Sequence, residues 1–281
     1  MEPGSRNLEP GTTIVSFHDF EQAGWERAAE YYGDAFGGLT AQTIRPLLEA
    51  AGVTAGTRVL DVATGPGSVA AAAAKLGASV VGVDFSSQMV ALAREHNPSL
   101  VFEEGDAEAL EFADARFDAV TINFGVLHLA RPDAALAEAR RVLVPGGRCA
   151  FTVWAKPEIS VGFGIVLRAI ERLGRLDVPL PEGPPFFRFS ETGESIRSML
   201  AAGFVDPRVD EVRLLWQLPS AGALFDAFAN GAVRTAALLR AQTEDALVEI
   251  HTAVVEEASA YRRGEIIELP MAAVLTSGTK P

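Results

Sequence analysis

Apolar runs of strand length recur along residues 52–156, and most are followed by an amphipathic or alanine-rich segment. This alternation predicts a parallel sheet whose right-handed crossover connections are helices. The five predicted strands lie at residues 59–63, 79–84, 100–107, 117–124 and 149–154. The pattern therefore predicts an α/β fold with a Rossmann-like, doubly wound sheet.

Two amphipathic helices are predicted before this core. They cover residues 20–32 and 40–51, and the pair Gly37-Gly38 is expected to interrupt the chain between them. Residues 1–13 are polar and rich in helix breakers, so we expect them to be disordered or to lie on the surface. We treat residues 1–51 as an N-terminal helical segment that covers the core as a lid.

Residues 157–281 are predicted to add both strands and helices to the core of residues 52–156. The expected elements are a helix at 163–173, a helix capped by Ser190 and ending at Gly203, strands at 205–218 and 269–280, and two or three helices within 220–263, the last capped by Thr243. Ligands of doubly wound sheets bind over the carboxyl ends of the strands, a face that these helices are free to cover. We assign acceptor recognition to them.

A glycine-rich turn follows the first predicted strand. The turn reads Thr64-Gly65-Pro66-Gly67, and an alanine-rich helix begins directly after it. A strand, a glycine turn and a helix in this order form the phosphate loop of nucleotide-binding units, where Gly65 and Gly67 allow a ligand close to the backbone. The glycine spacing also fits a dinucleotide-binding protein, so the turn alone leaves the ligand open.

Asp61, at the end of the first strand, favours one of these ligands. A carboxylate beside the turn would repel a pyrophosphate, whereas it suits a ligand that carries an ammonium group. S-adenosylmethionine has that ammonium and no phosphate. Asp61 therefore points to S-adenosylmethionine.

Acidic residues also end the second and third predicted strands. Asp84 is placed to accept hydrogen bonds from both hydroxyls of a ribose. Phe85 and Met89, which follow Asp84, are candidates to pack on an adenine ring. The third strand ends in Gly105-Asp106-Ala107, placed to meet an adenine amino group.

These segments together resemble the class I S-adenosylmethionine-dependent methyltransferases, and among them the ubiquinone and menaquinone C-methyltransferases (methyltransferase type 11). The resemblance covers residues 57–156. Residues 60–67 read Leu-Asp-Val-Ala-Thr-Gly-Pro-Gly, where the family has Leu-Asp-x-Gly-x-Gly-x-Gly, so Ala63 replaces the first glycine. The resemblance implies a seven-stranded sheet with the last strand antiparallel. It also implies methyl transfer to an O, C or N atom of a small acceptor, in quinone or natural-product biosynthesis, with S-adenosylhomocysteine as product.

The resemblance also implies roles for residues outside the glycine turn. Asn123 and Phe124, at the end of the fourth strand, are expected to shape the methionine end of the cofactor site. One aromatic residue of the N-terminal helices, among Trp25, Tyr31 and Tyr32, is expected to close over the cofactor. The alternative is that these aromatic residues only pack the helices onto the core.

His128 is the candidate catalytic residue because it follows the fourth strand, where the acceptor should approach. Histidine titrates near neutral pH and can remove a proton from an acceptor. The alternative is a structural histidine that packs against the next helix. The sequence leaves both roles open.

The composition narrows the possible partners. The formal charge of −13 disfavours a nucleic-acid surface, which needs clustered cations. Cys149 is the single cysteine, and the four histidines show no metal-ligand spacing, so no metal is expected. With no apolar run of about 18 residues and no signal pattern at the start, we expect a cytoplasmic protein that does not insert into membranes. The oligomeric state stays open.

Two other function classes remain compatible with these motifs. One is an NAD(P)-dependent Rossmann oxidoreductase, although the combination of Asp61, Gly105-Asp106 and Pro145-Gly146-Gly147 has no reason to recur there. The other is a non-methylating use of the fold, such as a cyclase with bound cofactor or a regulatory binding module.

Overall fold

The structure, a computed structural model, describes residues 15–281. The expectation for residues 1–13 lies outside the described residues. Within the described chain the strands form one sheet, and their bounds are β1 Arg58–Val62, β2 Ser79–Asp84, β3 Val101–Glu104, β4 Phe117–Asn123, β5 Leu143–Trp154, β6 Val205–Leu218, β7 Arg262–Arg263 and β8 Ile266–Thr279.

The strands run in the order β3-β2-β1-β4-β5-β8-β6, with the short β7 paired to β8 at one side. β1 to β5 are parallel, and β8 is antiparallel to both of its long neighbours. The order reverses beside β1, so that β1 and β4 flank the point where ligands of such sheets bind. The α/β class, the doubly wound sheet and the antiparallel last strand are confirmed; the two-residue β7 was not predicted.

Helices cover both faces of the sheet. In the described residues they are α1 Phe17–Tyr32, α2 Gly38–Thr40, α3 Ile44–Ala50, α4 Ser68–Lys75, α5 Ser87–His96, α6 Pro132–Val142, α7 Val161–Leu173, α8 Thr192–Ala201, α9 Gly222–Gly231, α10 Arg234–Arg240 and α11 Glu244–Ser259. No described helix is both long enough and apolar enough to cross a membrane.

Alternate residues of the central strands pack into two separate cores. Leu60 and Val62 of β1 join the larger core, whereas Val59 joins the smaller one on the other face. All three side chains are almost completely buried. Burial on both faces explains why the parallel strands read as continuous apolar runs in the sequence.

The predicted interruption at Gly37-Gly38 is wrong. The chain stays helical after α1 through a π-helical turn, Gly33–Gly37, and then through α2. Phe36 and Leu39 are buried in the larger core, and the Tyr32 hydroxyl hydrogen-bonds the Thr40 hydroxyl at 3.1 Å. These contacts favour a continuous helix, because glycine permits a break without requiring one.

The cap predicted at Ser190 is also wrong. Its hydroxyl donates to the carbonyl of Phe187 within a short 3-10 turn, and Glu191 precedes α8 instead. The hydroxyl therefore closes its own turn, a local alternative to capping. The cap at Thr243 is confirmed, since its side chain accepts from the N–H of Ala246.

Candidate active site

A cavity opens over the carboxyl ends of β1, β2 and β4. It measures about 990 Å³, a volume that includes the solvent at its open mouth. The lining comprises Trp25, Tyr32, Phe36, Thr40, Ala63, Gly65, Asp84, Phe85, Met89, Gly105, Asp106, Ala107, Asn123, Phe124, Gly125, His128, Leu129, Trp154, Phe163, Phe186 and residues 231–235. The cavity thus collects twelve of the fifteen residues that the sequence singled out, counting His128.

The two glycines of the turn have different surroundings. Gly65, at φ +53°, lines the cavity, and a Cβ built on it would meet nothing within 4 Å. Gly67, at φ +84°, does not line the cavity, and its Cβ would lie 2.9 Å from the ring of Phe102. The close approach expected at Gly67 is therefore to β3, and only Gly65 faces the cavity.

Asp61 and Thr64 lie beneath the turn and are not part of the cavity wall. The carboxylate of Asp61 accepts from the Thr64 hydroxyl at 2.6 Å and from the Thr121 hydroxyl at 2.9 Å. Burial raises the pKa of Asp61 to about 6, against the lowering effect of these hydrogen bonds. The Asp61 carboxylate therefore fastens the turn, and its contact with a ligand ammonium stays a prediction.

Asp84 ends β2 and lines the cavity, as predicted from its position. Its carboxylate accepts from the N–H of Gly65 at 2.8 Å and from the N–H of Ser86 at 3.0 Å. Burial raises the pKa of Asp84 to about 6, although both backbone donors oppose that rise. Phe85 and Met89 line the same region, so an acid and an apolar surface lie side by side.

The loop after β3 also reaches the cavity through Gly105, Asp106 and Ala107. The N–H of Gly105 donates to the Asp84 carbonyl at 2.9 Å, which fixes the loop against β2. One carboxylate oxygen of Asp106 accepts from the N–H of Glu108 at 2.8 Å. Asp106 is therefore both a turn residue and part of the wall, and its contact with an adenine amino group stays a prediction.

Asn123 ends β4, Phe124 follows it directly, and both line the cavity. The Asn123 side-chain oxygen accepts from the hydroxyls of Thr43 and Thr152 at 2.7 and 2.6 Å, so this oxygen is already hydrogen-bonded within the protein. Phe124 adopts φ +55°, and its ring stacks on Trp154 with centroids 4.1 Å apart. A left-handed conformation at a bulky residue is strained and is typical of functional sites.

Helix α1 brings Trp25 and Tyr32 to the cavity, as the resemblance implied. Their rings meet edge to face with centroids 5.7 Å apart, and Trp25 also contacts the His128 ring at 4.8 Å. Burial raises the pKa of Tyr32, whose hydroxyl bonds Thr40. The neighbouring Tyr31 is half exposed and lies outside the wall.

His128 faces the cavity and belongs to a buried ionic network. Its Nδ1 lies 2.9 Å from the carboxylate of Glu21, which also accepts from Nε of Arg234 at 2.6 Å. Burial raises the pKa of Glu21, yet the charges and hydrogen bonds of His128 and Arg234 outweigh burial and hold it below its usual value. Sequence reasoning missed Glu21, although it stands one helical turn before Trp25, and Arg234 gave no signal.

Sequence reasoning also missed most of the apolar wall beside His128. Phe36, Phe163 and Phe186 line this half of the cavity together with Trp154 and the predicted Phe124. Their positions in four separate segments gave no common sequence signal. The cavity therefore has an acidic and backbone-rich half near β2 and an aromatic half near β5, with His128 between them.

Residues 15–281 contain no group of three or more histidine, cysteine, aspartate or glutamate side chains placed to hold a metal ion. His18 and His251 pack against Phe85 and Phe225, respectively. Cys149 is buried in β5, and burial raises the pKa of its thiol to about 12, which keeps it protonated and unreactive.

Comparison with known proteins agrees with this geometry. Residues 60–151 match the Methyltransf_11 family, described as a methyltransferase domain. The chain is 42% identical over 120 residues to the demethylmenaquinone methyltransferase of Renibacterium salmoninarum, covering 43% of this chain and 51% of that protein. It is 45% identical over 113 residues to that of Beutenbergia cavernae, covering 40% and 47%. The chain thus spans about half the length of these relatives.

Among solved structures, the fold matches phosphoethanolamine N-methyltransferase 2 of Haemonchus contortus, in complex with phosphomonomethylethanolamine and S-adenosylhomocysteine. The TM-score is 0.59 at 20% identity, over 95% of this chain and 61% of that one. At this identity the likeness concerns the fold alone. Residues 60–151 therefore match a methyltransferase domain, within a chain whose fold is similar to that of solved methyltransferases.

Proposed function

We propose that this protein is an S-adenosylmethionine-dependent methyltransferase that acts on a small, partly apolar acceptor. The observation that carries the proposal is that Asp84 and Gly65 line one end of the cavity and aromatic side chains line the other. His128 lies between the two ends, where a reacting atom of the acceptor would meet the methyl group.

The first half of the cavity fits S-adenosylmethionine, which supplies an electrophilic methyl group on a sulfonium with a neutral thioether as leaving group. Asp84 is the residue proposed to accept the ribose hydroxyls, because its carboxylate is already fixed by Gly65 and Ser86. Phe85 and Met89 offer an apolar surface for the adenine, next to the loop of Asp106. Asn123 and Phe124 are proposed to shape the methionine end.

The second half of the cavity fits a flat acceptor with apolar surface. Phe124 and Trp154 present stacked rings, and Phe163 and Phe186 add edges beside them. Aromatic rings prefer such stacked and edge-to-face contacts with another ring. The demethylmenaquinone methyltransferases among the relatives support an acceptor from quinone or natural-product biosynthesis. Transfer to carbon, oxygen or nitrogen is compatible with this wall.

The protein itself contributes alignment and exclusion of water. Trp25 and Tyr32 cover the cavity from α1, and residues 231–235 cover it from the start of α10. Holding the two partners in contact can contribute about 7–11 kcal/mol to lowering the barrier. Such a reaction needs few catalytic side chains, and His128 is the one candidate for proton removal within the described wall.

The geometry argues against a dinucleotide in this site. The N–H of Gly65 is already bound to the carboxylate of Asp84, so the turn presents negative charge where a pyrophosphate would need donors. Asp61 adds a second carboxyl directly below the turn. An NAD(P)-dependent oxidoreductase is therefore the weaker alternative.

A transfer assay tests the proposed function. The protein is incubated with S-adenosylmethionine labelled in its methyl group and with a bacterial metabolite extract, and both labelled product and S-adenosylhomocysteine are measured. We expect equal amounts of the two. Cofactor binding without either product, over extracts rich in quinone precursors, would instead favour a cyclase or a regulatory module.

A further inference from the structure

Glu21 is a carboxylate with no exposure to solvent, and both of its oxygens are engaged. One accepts from Nε of Arg234 at 2.6 Å, and the other lies 2.9 Å from Nδ1 of His128. An arginine only donates, and it also holds the Glu21 carboxyl in its ionised form. An ionised carboxylate only accepts, so the bond to Nδ1 exists only if His128 carries a proton there.

The other nitrogen of the ring is left open. Within residues 15–281 no protein group hydrogen-bonds Nε2 of His128. Nε2 is not fully buried either, and the ring lines the cavity. Trp25 lies edge-on to the ring at 4.8 Å and Phe186 lies at 5.9 Å, which restricts its rotation. Nε2 therefore faces the space where the acceptor is proposed to bind.

Arg234 fixes the position of the carboxylate in turn. Its two terminal nitrogens donate to the carbonyls of Pro184 and Leu127 at 2.8 and 2.6 Å, and its guanidinium lies 4.5 Å from the centre of the Phe17 ring. The side chain is thus held by three different segments, namely α1 and the stretches that contain Pro184 and Leu127. Glu21 cannot turn away from His128 without removing the carboxylate partner of Arg234, whose side chain is only 17% exposed.

We propose that Glu21 is a positioning residue that keeps neutral His128 protonated on Nδ1 and directs the Nε2 lone pair at the acceptor. This inference rests on the function proposed above. Nε2 accepts the proton of the acceptor, whose freed electron pair forms the bond to the methyl carbon as the carbon–sulfur bond breaks toward sulfur. The imidazolium that results is paired with the Glu21 carboxylate until the proton passes to water.

The competing explanation is that Glu21 and Arg234 only tie α1 to α10. The variant Glu21→Gln separates the two explanations. Arg234 can only donate, so it retains the amide oxygen of the new side chain and leaves the amide NH₂ facing Nδ1. The NH₂ group donates, so Nδ1 must become the acceptor and the ring proton must move to Nε2. A tie that runs only through Arg234, with no hydrogen bond from His128 to Glu21, predicts no such change.

Nitrogen NMR of the ¹⁵N-histidine-labelled protein reads this tautomer directly, at an alkaline pH where the ring is neutral. The four histidines are assigned with His128→Asn, and Glu26→Gln is the matched control. Glu26 also lies on α1 but accepts from the backbone N–H of Ser87 at 2.7 Å. Replacing Glu26 therefore weakens the attachment of α1 and leaves the contacts of His128 unchanged.

We expect Nδ1–H in the wild type and in Glu26→Gln, and Nε2–H in Glu21→Gln. A wild-type ring with its proton on Nε2 would overturn the inference even if Glu21→Gln did not fold. An unchanged tautomer in a folded Glu21→Gln would overturn it as well. S-adenosylhomocysteine titrated into the same samples reports on the proposed function separately, because the tautomer is read without any ligand.

Discussion

The carboxylate of Asp84 accepts a hydrogen bond from the backbone N–H of Gly65 at 2.8 Å. This bond joins the end of β2 to the turn after β1, and both residues line the cavity. The same carboxylate is the proposed acceptor for the ribose hydroxyls. Binding of the cofactor and the shape of the turn therefore depend on one side chain.

Replacing Asp84 by asparagine should weaken the binding of S-adenosylmethionine by about 1.5–3 kcal/mol, the range for hydrogen bonds to a charged group. Isothermal titration calorimetry measures the loss. Asp118→Asn is the matched control, because Asp118 pairs with Arg58 at the opposite end of the strands. Equal affinities in all three proteins would remove Asp84 from the site.

The affinity for S-adenosylmethionine should rise with pH across about 6. Burial raises the pKa of Asp84 to about 6, and the ionised form is the one that accepts hydroxyls and attracts a cation. Below that pH, binding must first remove a proton, so affinity falls by up to about tenfold per pH unit. Asp84→Asn should lose most of this dependence; an unchanged profile would contradict the assignment.

The same raised pKa has the opposite effect on the stability of the unliganded protein. The folded-state pKa of Asp84 lies above its unfolded value of 3.8, so the folded state retains the proton longer. The stability from this group is present below about pH 4 and is lost as pH rises toward about 6. Urea unfolding at pH 4 to 7 measures the loss, which should be smaller in Asp84→Asn.

Two glycine substitutions should separate packing from ligand contact. Gly67→Ala places a Cβ 2.9 Å from Phe102 at φ +84°, so we expect a loss of about 2 kcal/mol or more in the free energy of unfolding. Gly65→Ala meets nothing within 4 Å but projects at the cavity, so its larger effect should be on cofactor affinity. Thermal unfolding and calorimetry on both variants provide the comparison. The reverse ranking would show that Gly67 is the residue that the ligand approaches.

His128→Ala should lower the turnover number by about a hundredfold, the scale for loss of a general base. Affinity for S-adenosylmethionine should change little, because Asp84 and Gly65 are untouched. Steady-state kinetics with the acceptor identified in the transfer assay tests this. Near-normal turnover at neutral pH would leave His128 a structural residue and alignment as the main source of catalysis.

The sequence predicted those residues of the site whose positions are set by the sheet topology. Asp84, Asp106 and Asn123 each end or follow a strand, and parallel strands bring their carboxyl ends together. The direction of a side chain within a turn has no such signature, so Asp61 and Gly67 were assigned to the cavity and lie outside it. Local sequence patterns indicate which residues lie near the turn. They do not indicate which of these side chains face the cavity.

The contacts around His128 were beyond sequence reasoning for a different reason. Glu21 of α1 contacts His128 across a separation of 107 residues, and Arg234 of α10 contacts Glu21 across a separation of 213. Only the packing of inserted helices against the sheet brings these three residues together. The π-helical turn at Gly33–Gly37 is a further example, since buried Phe36 and not local propensity holds it.

Calorimetric titration of S-adenosylhomocysteine and NADH into the wild-type protein tests the central claim most directly. The account predicts saturable binding of S-adenosylhomocysteine at one site per chain, competed by S-adenosylmethionine and weakened in Asp84→Asn, with no binding of NADH. Saturable binding of NADH together with no heat from S-adenosylhomocysteine would contradict it.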